Sequence, residues 1–351
     1  MPRGVQFRRR IKVTIGNQIV TDVDPAVSAE VNDARTLDTT FTTEAHVKAA
    51  PLITTLTVRG LNRQQRKQMT TEQDAAEKTA WELRQAVQSG ATLVEDEQIF
   101  QFQQQLTLKG GIISIVAGYD GDSALLAKAQ ILPDGIEHEY DGESWLTTIR
   151  AQDTRYPWQN SFASEVIAPG VTLIDMQAAL QLSEQFLIGE VDQATVAAKI
   201  PGLLETKNFG GYANGRVLHG DSRNFEQEII DRLGLRRFFD RGQLRLIDAA
   251  ATTLDEAVVL RLVPKHDRSN PTPGGLLKYK ELKRGFVEIV ALLNHRITAG
   301  RQVILQDDQG KPVGGGVFRV DYVQHAGSNF DVGYNSMATL RPVTVDLALN
   351  V

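Results

Sequence analysis

The sequence predicts an α+β chain that is predominantly β: two β-rich flanks around a smaller α+β middle. Three observations predict it. Apolar and polar residues alternate with period 2 through most of the first 155 residues and again after about Thr252, the pattern of half-buried strands. Helical periodicity is confined to one stretch near 72–89 and two in the middle. Gly- and Pro-rich breaks punctuate the strand runs. The divisions fall at 1–157, 158–250 and 251–351.

In the first flank Ile11, Val13 and Ile15 alternate with polar neighbours, as do Leu37, Phe41, Ala45 and Val47, then Leu56 and Val58. GGIISIVAGYDGD, residues 110–122, reads as a strand buried on both faces, with Gly118 and Gly121 free to take the positive φ of a tight turn. Trp145, Thr147, Ile149 and Ala151 continue the alternation. The helix near 72–89 is expected to be capped by Thr70 or Thr71, favoured by Glu72 and Asp74 at its positive end, and stopped by Gly90. Ala76, Ala80, Leu83 and Val87 form its packing stripe, with Trp81 beside it.

In the middle, residues 172–185 read as a helix capped by Thr172. Residues 222–233 read as another, with Phe225, Ile229 and Leu233 on one face and Gly234 at its end. FGGYANGRVLHGD, residues 209–221, reads as a Gly-rich loop and GQLRLID as a short strand. In the last flank AVVLRLVP, FVEIVALL, RQVILQD, GVFRVDYVQH and MATLRPVTV read as strands. SNPTPGG must be a loop, and DDQGKPVGGG, 307–316, a hairpin-type connection.

Composition excludes several function classes. A net charge of −5 argues against a general nucleic-acid binder, whose affinity comes from neutralising phosphate. The basic run Arg8, Arg9, Arg10 reads as a solvated edge leading into a strand. With no cysteine, thiol chemistry, disulfides and Cys-based zinc sites are out. No apolar run is long enough to span a bilayer, and the N-terminus lacks the apolar core of a signal peptide, so the chain is expected to stay soluble where it is made.

The search for chemistry returns no catalytic, cofactor-binding or metal residues. None of the six histidines, His46, His138, His219, His266, His295 and His325, pairs with another at helical spacing, and no HExxH, P-loop, GxGxxG or GxSxG pattern occurs. IEHEYDGES, residues 136–144, gathers acids round His138, but in a strand Glu137 and Glu139 face away from it, and the DG that follows is a turn. Asp153 stands alone. ALLNHRITAGRQVIL, residues 291–305, reads as strand, loop, strand, with Asn294 and Gly300 at the turn and His295 and Arg296 near the loop surface. The chain is expected not to be an enzyme.

Two blocks carry a family resemblance. PLITTLTVRGLNRQQRKQM, GGIISIVAGYDG and DGIEHEYDGESWLTTIRAQDT form the first. GLLKYKELKRGFVEIVALLNHRITAGRQVILQ and GVFRVDYVQHAGSNFDVGYNSMATLRPV form the second. Together they resemble the central hub proteins of contractile-tail phage baseplates, with His295-Arg296 where proline is commoner, and Ala326-Gly327 and Tyr334 as further departures. The resemblance implies two tail-tube-like β-barrel domains flanking the middle. It also implies a homotrimer presenting six barrels, which joins a hexameric tail tube or tube initiator to a trimeric central spike among other baseplate proteins. The expected site of action is the virion tail, assembled in the host cytoplasm, with DNA passing only as non-specific cargo. A spike would be a separate chain. The alternatives are another tail-tip component, such as a tube initiator or spike-complex protein of a contractile injection system, and a tail-associated cell-wall hydrolase.

Overall fold

The computed structural model describes residues 9–24, 26, 37–47, 53–88, 111–119, 121–152, 162–168, 216–221, 224–225, 227–228, 235–240, 243–248, 252, 256–262, 275–330 and 333–343. The first flank gives β1 (Arg9–Ile15), β2 (Gln18–Val23), β3 (Asp38–His46), β4 (Ile53–Arg59), α1 (Arg63–Gln88), β5 (Ile112–Tyr119), β6 (Asp122–Tyr140) and β7 (Trp145–Gln152). Two short antiparallel pairs follow, β8 (Phe162–Ile167) with β9 (Arg216–Asp221), and β10 (Leu235–Asp240) with β11 (Gln243–Asp248). The last flank gives β12 (Val258–Arg261), β13 (Leu276–Glu281), β14 (Val287–Leu292), β15 (Gln302–Gln306), β16 (Pro312–Ser328) and β17 (Tyr334–Pro342).

Thirteen of these strands form one sheet, and it curls into two barrels. In the first, hydrogen-bonded neighbours run β2-β1-β5-β6-β7-β4-β3. No ladder joins β2 to β3 there. Side chains close the ring instead: Thr21 Oγ lies 2.5 Å from Thr39 Oγ, and Thr21 donates to the Leu37 carbonyl at 3.2 Å. In the second, neighbours run β12-β15-β16-β17-β14-β13, and a parallel bridge from Leu262 to Leu276 closes the ring. Each ring encloses its own core. Ile11, Val13, Phe41, Leu56, Ile115 and Ile149 fill the first; Leu260, Ile289, Val303, Phe318, Val320 and Leu340 fill the second. Each such side chain contributes roughly 1.5–3 kcal/mol on burial, and small barrels are filled this way because inward positions alternate along every strand.

The predominantly β class is as the alternation predicted, and the turn residues behave as expected: Gly121 has φ 74° and Gly142 φ 96°. Other expectations need correction. The helix starts at Arg63, not near 72, because Asn62 and Gln65 cap it reciprocally: Gln65 N–H donates to Asn62 Oδ1 at 2.9 Å and Asn62 N–H to Gln65 Oε1 at 3.0 Å. Thr70 and Thr71 lie inside it and donate back to the Arg66 and Lys67 carbonyls. Of the expected stripe Ala76 is buried, with Met69 and Gln73 inward beside it; the side chains of Ala80, Leu83 and Val87 lie outside the described residues, and Trp81 is exposed. Gly90, SNPTPGG up to Gly274 and the helix 172–185 lie outside the described residues. Of the helix 222–233, Asn224, Phe225, Gln227 and Glu228 are described, and they are helical. The supposed loop FGGYANGRVLHGD contains β9 from Arg216 onward, and the 307–316 connection turns at Asp307–Gly310 before β16 begins at Pro312.

Candidate functional site

The two barrels meet in one ladder. β16 pairs with β15 and β17 inside its own barrel, and its later half, Tyr322 to Ser328, pairs antiparallel with β3 from His46 to Thr40. One strand thus belongs to both rings. Glycine permits the junction: a Cβ on Gly327 would collide with the ring of Phe41, its cross-strand partner, so the ring takes the space a side chain would fill.

Tyr334, at the start of β17, crosses from the second barrel into the core of the first. Its hydroxyl accepts the Gly118 N–H at 2.8 Å and shares its proton between the carbonyls of Gly118 at 2.7 Å and Arg10 at 2.9 Å. Gly118 and Arg10 are register partners on β5 and β1, so the hydroxyl is spliced into that ladder. A Cβ at Gly118 would strike the Asp122 carbonyl and Ser123 Cα, so only glycine fits. Tyr119 packs edge-on against the Tyr334 ring, 5.4 Å between centroids, and the Arg9 guanidinium lies 4.8 Å over it. Burial pushes the Tyr119 hydroxyl up to about 12 and that of Tyr334 higher still. Asn329 ties the same seam to β3, accepting the Thr39 N–H at 2.8 Å and donating to the Leu37 carbonyl at 2.8 Å.

The 293–301 loop completes the junction. Most of it is buried, which corrects the expectation for His295 but not for Arg296: His295 is 9% exposed, with Leu293, Ile297 and Ala299 almost fully enclosed, while Arg296 stays exposed as expected. Asn294 makes the expected turn by accepting the Arg296 N–H at 2.9 Å, and Gly300 takes φ 80°. His295 Nε2 is 3.8 Å and Arg296 Nη2 2.9 Å from Asp122, the first residue of β6 in the other barrel. His325 Nε2 donates to the Ile297 carbonyl at 3.1 Å, while its Nδ1 lies 2.8 Å from Ser336 Oγ, which accepts the Asn294 N–H at 3.0 Å. The polar contacts named here hold backbone or bridge barrels, so the arrangement is a fastening.

The other residues singled out in sequence fall elsewhere. Arg9 is buried under the seam and Arg10 pairs with Asp22 and the Val23 carbonyl, so the basic run is no solvated edge. His138 faces Thr147, 2.9 Å from its Oγ, and burial, then the charge of Arg66, lowers its pKa. Glu137 turns outward to Arg150, as alternation predicted. The Asp141 carboxyl is held below its usual range by the N–H groups of Ser144 and Glu143 in the expected turn. Arg8, Asp153 and His266 lie outside the described residues. Sequence reasoning missed Tyr334 as a cross-barrel residue, since its partners lie more than two hundred positions away.

The fused ladder also makes one outer face. A row of register partners runs Arg150, Thr55, Thr42, Ala326, Asn335 across β7, β4, β3, β16 and β17, passing between barrels without a break. Flanking it are Thr148, Thr57 and Thr40 on one side and Glu44, Gln324 and Met337 on the other, with Gln324 donating to Glu44 at 3.1 Å. Hydroxyls and amides dominate this face.

No family model matches the sequence, and a search of curated proteins finds no match. Among solved structures, the chain is similar to a tail protein from Neisseria meningitidis MC58, with 10% identity, TM-score 0.49, 95% of this chain and 96% of that one covered. It is similar at TM-score 0.49 and 9% identity to the 43 kDa tail protein of prophage MuSo2 from Shewanella oneidensis, covering 95% and 98%. A third similar structure, at TM-score 0.45 and 9% identity and covering 87% and 73%, is the E. coli c3393 protein. That protein is a type VI secretion component described as resembling the T4 bacteriophage tail proteins gp27 and gp5.

Proposed function

We propose that this chain is a structural, non-catalytic baseplate hub of a phage tail. In this reading it assembles as a homotrimer, adapts a hexameric tail tube to a trimeric central spike, and forms part of the DNA channel in the virion. The observation that carries the reading is the fusion of two barrels into one ladder through β16 and β3. One chain so built offers two equivalent ring segments, and three chains offer six, which solves the mismatch between sixfold tube and threefold spike. The shared outer face suits a channel wall. Along its central row only Arg150 is cationic, and Arg150 is already paired with Glu137, so the wall has little with which to grip phosphate. The seam serves the same end, since a wall segment that transmits force needs its two halves locked together.

Single-particle electron microscopy of the purified chain, with its mass measured in parallel and repeated after co-expression with neighbouring tail genes, tests this. The expected particle is a trimeric ring of six lobes around a hole, with the Thr55 and Thr42 row facing that hole. A particle that stays monomeric in both preparations, or a ring with this face outward, overturns the reading.

A further inference from the structure

The fused sheet ends at two open edges. β6 is one. Its first half pairs with β5 as far as Gln130, then a register shift between Ile131 and Ile136, with Asp134 at φ 54°, turns the strand aside. Residues 136–140 therefore pair with β7 on one side and, among the described residues, with no strand on the other. β13 is the second. A single bridge at Leu276 joins it to Leu262, and residues 278–281 pair with β14 alone among the described residues. Glu137, Glu139 and Tyr140 are exposed, and so are Lys278, Tyr279, Lys280 and Glu281.

From one edge to the other the order is β6-β7-β4-β3-β16-β17-β14-β13, eight strands, and every neighbouring pair is antiparallel. Because the number is even, the two edge strands run in opposite directions. Copies related by rotation in a ring would bring β13 of one beside β6 of the next as an antiparallel pair, the relation all the neighbours in this series already have.

The side chains match as well. Lys278 shares a face with Val290, Met337 and Gln324, and Lys280 with Glu288 and Thr339. Glu137 and Glu139 stand on that same outer face as partners of Thr148 and Leu146. α1 meets this part of β6 on the opposite face, where Thr70 Oγ lies 3.5 Å from His138 Nε2. Lys278, Lys280 and Glu139 make no ion pair with a described residue, and Glu137 makes one, with Arg150. A single antiparallel register sets Lys278 opposite Glu139 and Lys280 opposite Glu137 together. Lysines bar an edge from pairing with its own copy, so acids at the same spacing decide which edge is admitted.

We propose that residues 136–140 of β6 are the docking edge for β13 of a second copy of this chain, with Glu139 on Lys278 and Glu137 on Lys280 selecting the register. The inference rests on the trimeric reading above and deepens it: each copy gives one edge and takes one, a contact that closes into a ring.

The chain has no cysteine, so a disulfide reports this contact directly. Opposed residues of an antiparallel pair have Cα atoms about 4.5–5.5 Å apart, inside the roughly 4.4–6.8 Å a disulfide spans. Lys278→Cys combined with Glu139→Cys in the full-length chain, purified alone and after co-expression with neighbouring tail genes, is oxidised while native mass is measured in parallel. It should run as a covalent trimer without reductant and as a monomer with it, and either cysteine alone should run as a monomer. Lys278→Glu and Glu139→Lys should each raise the concentration for half-assembly about tenfold or more, and the two together should restore it. A native trimer that gives no covalent species with both cysteines overturns this inference and leaves the trimeric reading standing. So does cross-linking of either single-cysteine variant, or wild-type assembly by both charge reversals. A chain that stays monomeric in both preparations overturns the trimeric reading and this inference with it.

Discussion

Replacing Tyr334 with phenylalanine removes one oxygen from the seam and leaves the ring that packs on Tyr119. The oxygen accepts one buried N–H, that of Gly118, and supplies a proton to the carbonyls of Gly118 and Arg10. Phenylalanine can do neither, and no solvent reaches the site, where Tyr334 is 3% exposed. An unsatisfied buried donor costs about 1–3 kcal/mol, so Y334F should lose roughly 2 kcal/mol. In a cooperative unit of this size that lowers Tm by roughly 4–8 °C. Calorimetry of both proteins measures it. The variant should also lose an alkaline component. With the hydroxyl of Tyr334 pushed above its unfolded value of 10.0, wild-type stability is complete below pH 10.0 and declines above it, as the unfolded chain ionises first. A Y334F chain melting within a degree of wild type would refute the reasoning, because the hydroxyl would then have been satisfied as well in the unfolded chain as in the seam.

Three other perturbations test separate parts of the fold. Gly327→Val should force the Phe41 ring off the β16–β3 ladder, cost on the order of 3 kcal/mol, and expose the β3 amides Thr40–Thr43 to hydrogen exchange before either core. Asp321→Asn removes the charge that Arg319 and Arg341 share and should cost roughly 3–5 kcal/mol by denaturant titration; a second substitution, Arg319→Met, should restore part of it. His138, whose pKa in the folded chain lies below 6.5, favours folding fully above pH 6.5; stability falls as pH drops below that value, since the unfolded chain takes the proton first, and His138→Gln should flatten that acid slope in Tm.

The strands that face one core were legible because a single period decides them. Ile11, Val13 and Ile15 are buried and their neighbours are not. The helix start was hidden because Asn62 and Gln65 cap a first turn whose residues, Arg63 to Gln68, are all polar, so no apolar period announced it before Met69. β13 escaped because Lys278 and Lys280 alternate with Tyr279 and Glu281, and none of the four is buried. The seam was illegible for another reason. Asn294 and Gly300 showed a turn, but the burial of His295 depends on Asp122, and the role of Tyr334 on Gly118, contacts that no local pattern encodes. The resemblance supplied the two-barrel plan, yet not the strand common to both.

That common strand sets a timetable for biosynthesis. β3 emerges from the ribosome early, while its partner on β16 follows far later: Gln324 lies 280 positions after Glu44. At about 5–20 residues per second, the edge of β3 waits roughly 15–60 s for its neighbour. During that time the first ring also lacks Leu293 and Tyr334 from its core. A first barrel that folded in this interval would have one unpaired rim and a missing plug, and that rim could pair with β3 of another nascent chain. Neighbouring ribosomes on one message would hold such chains side by side, so the interval before β16 arrives is when mispairing between copies competes with correct closure.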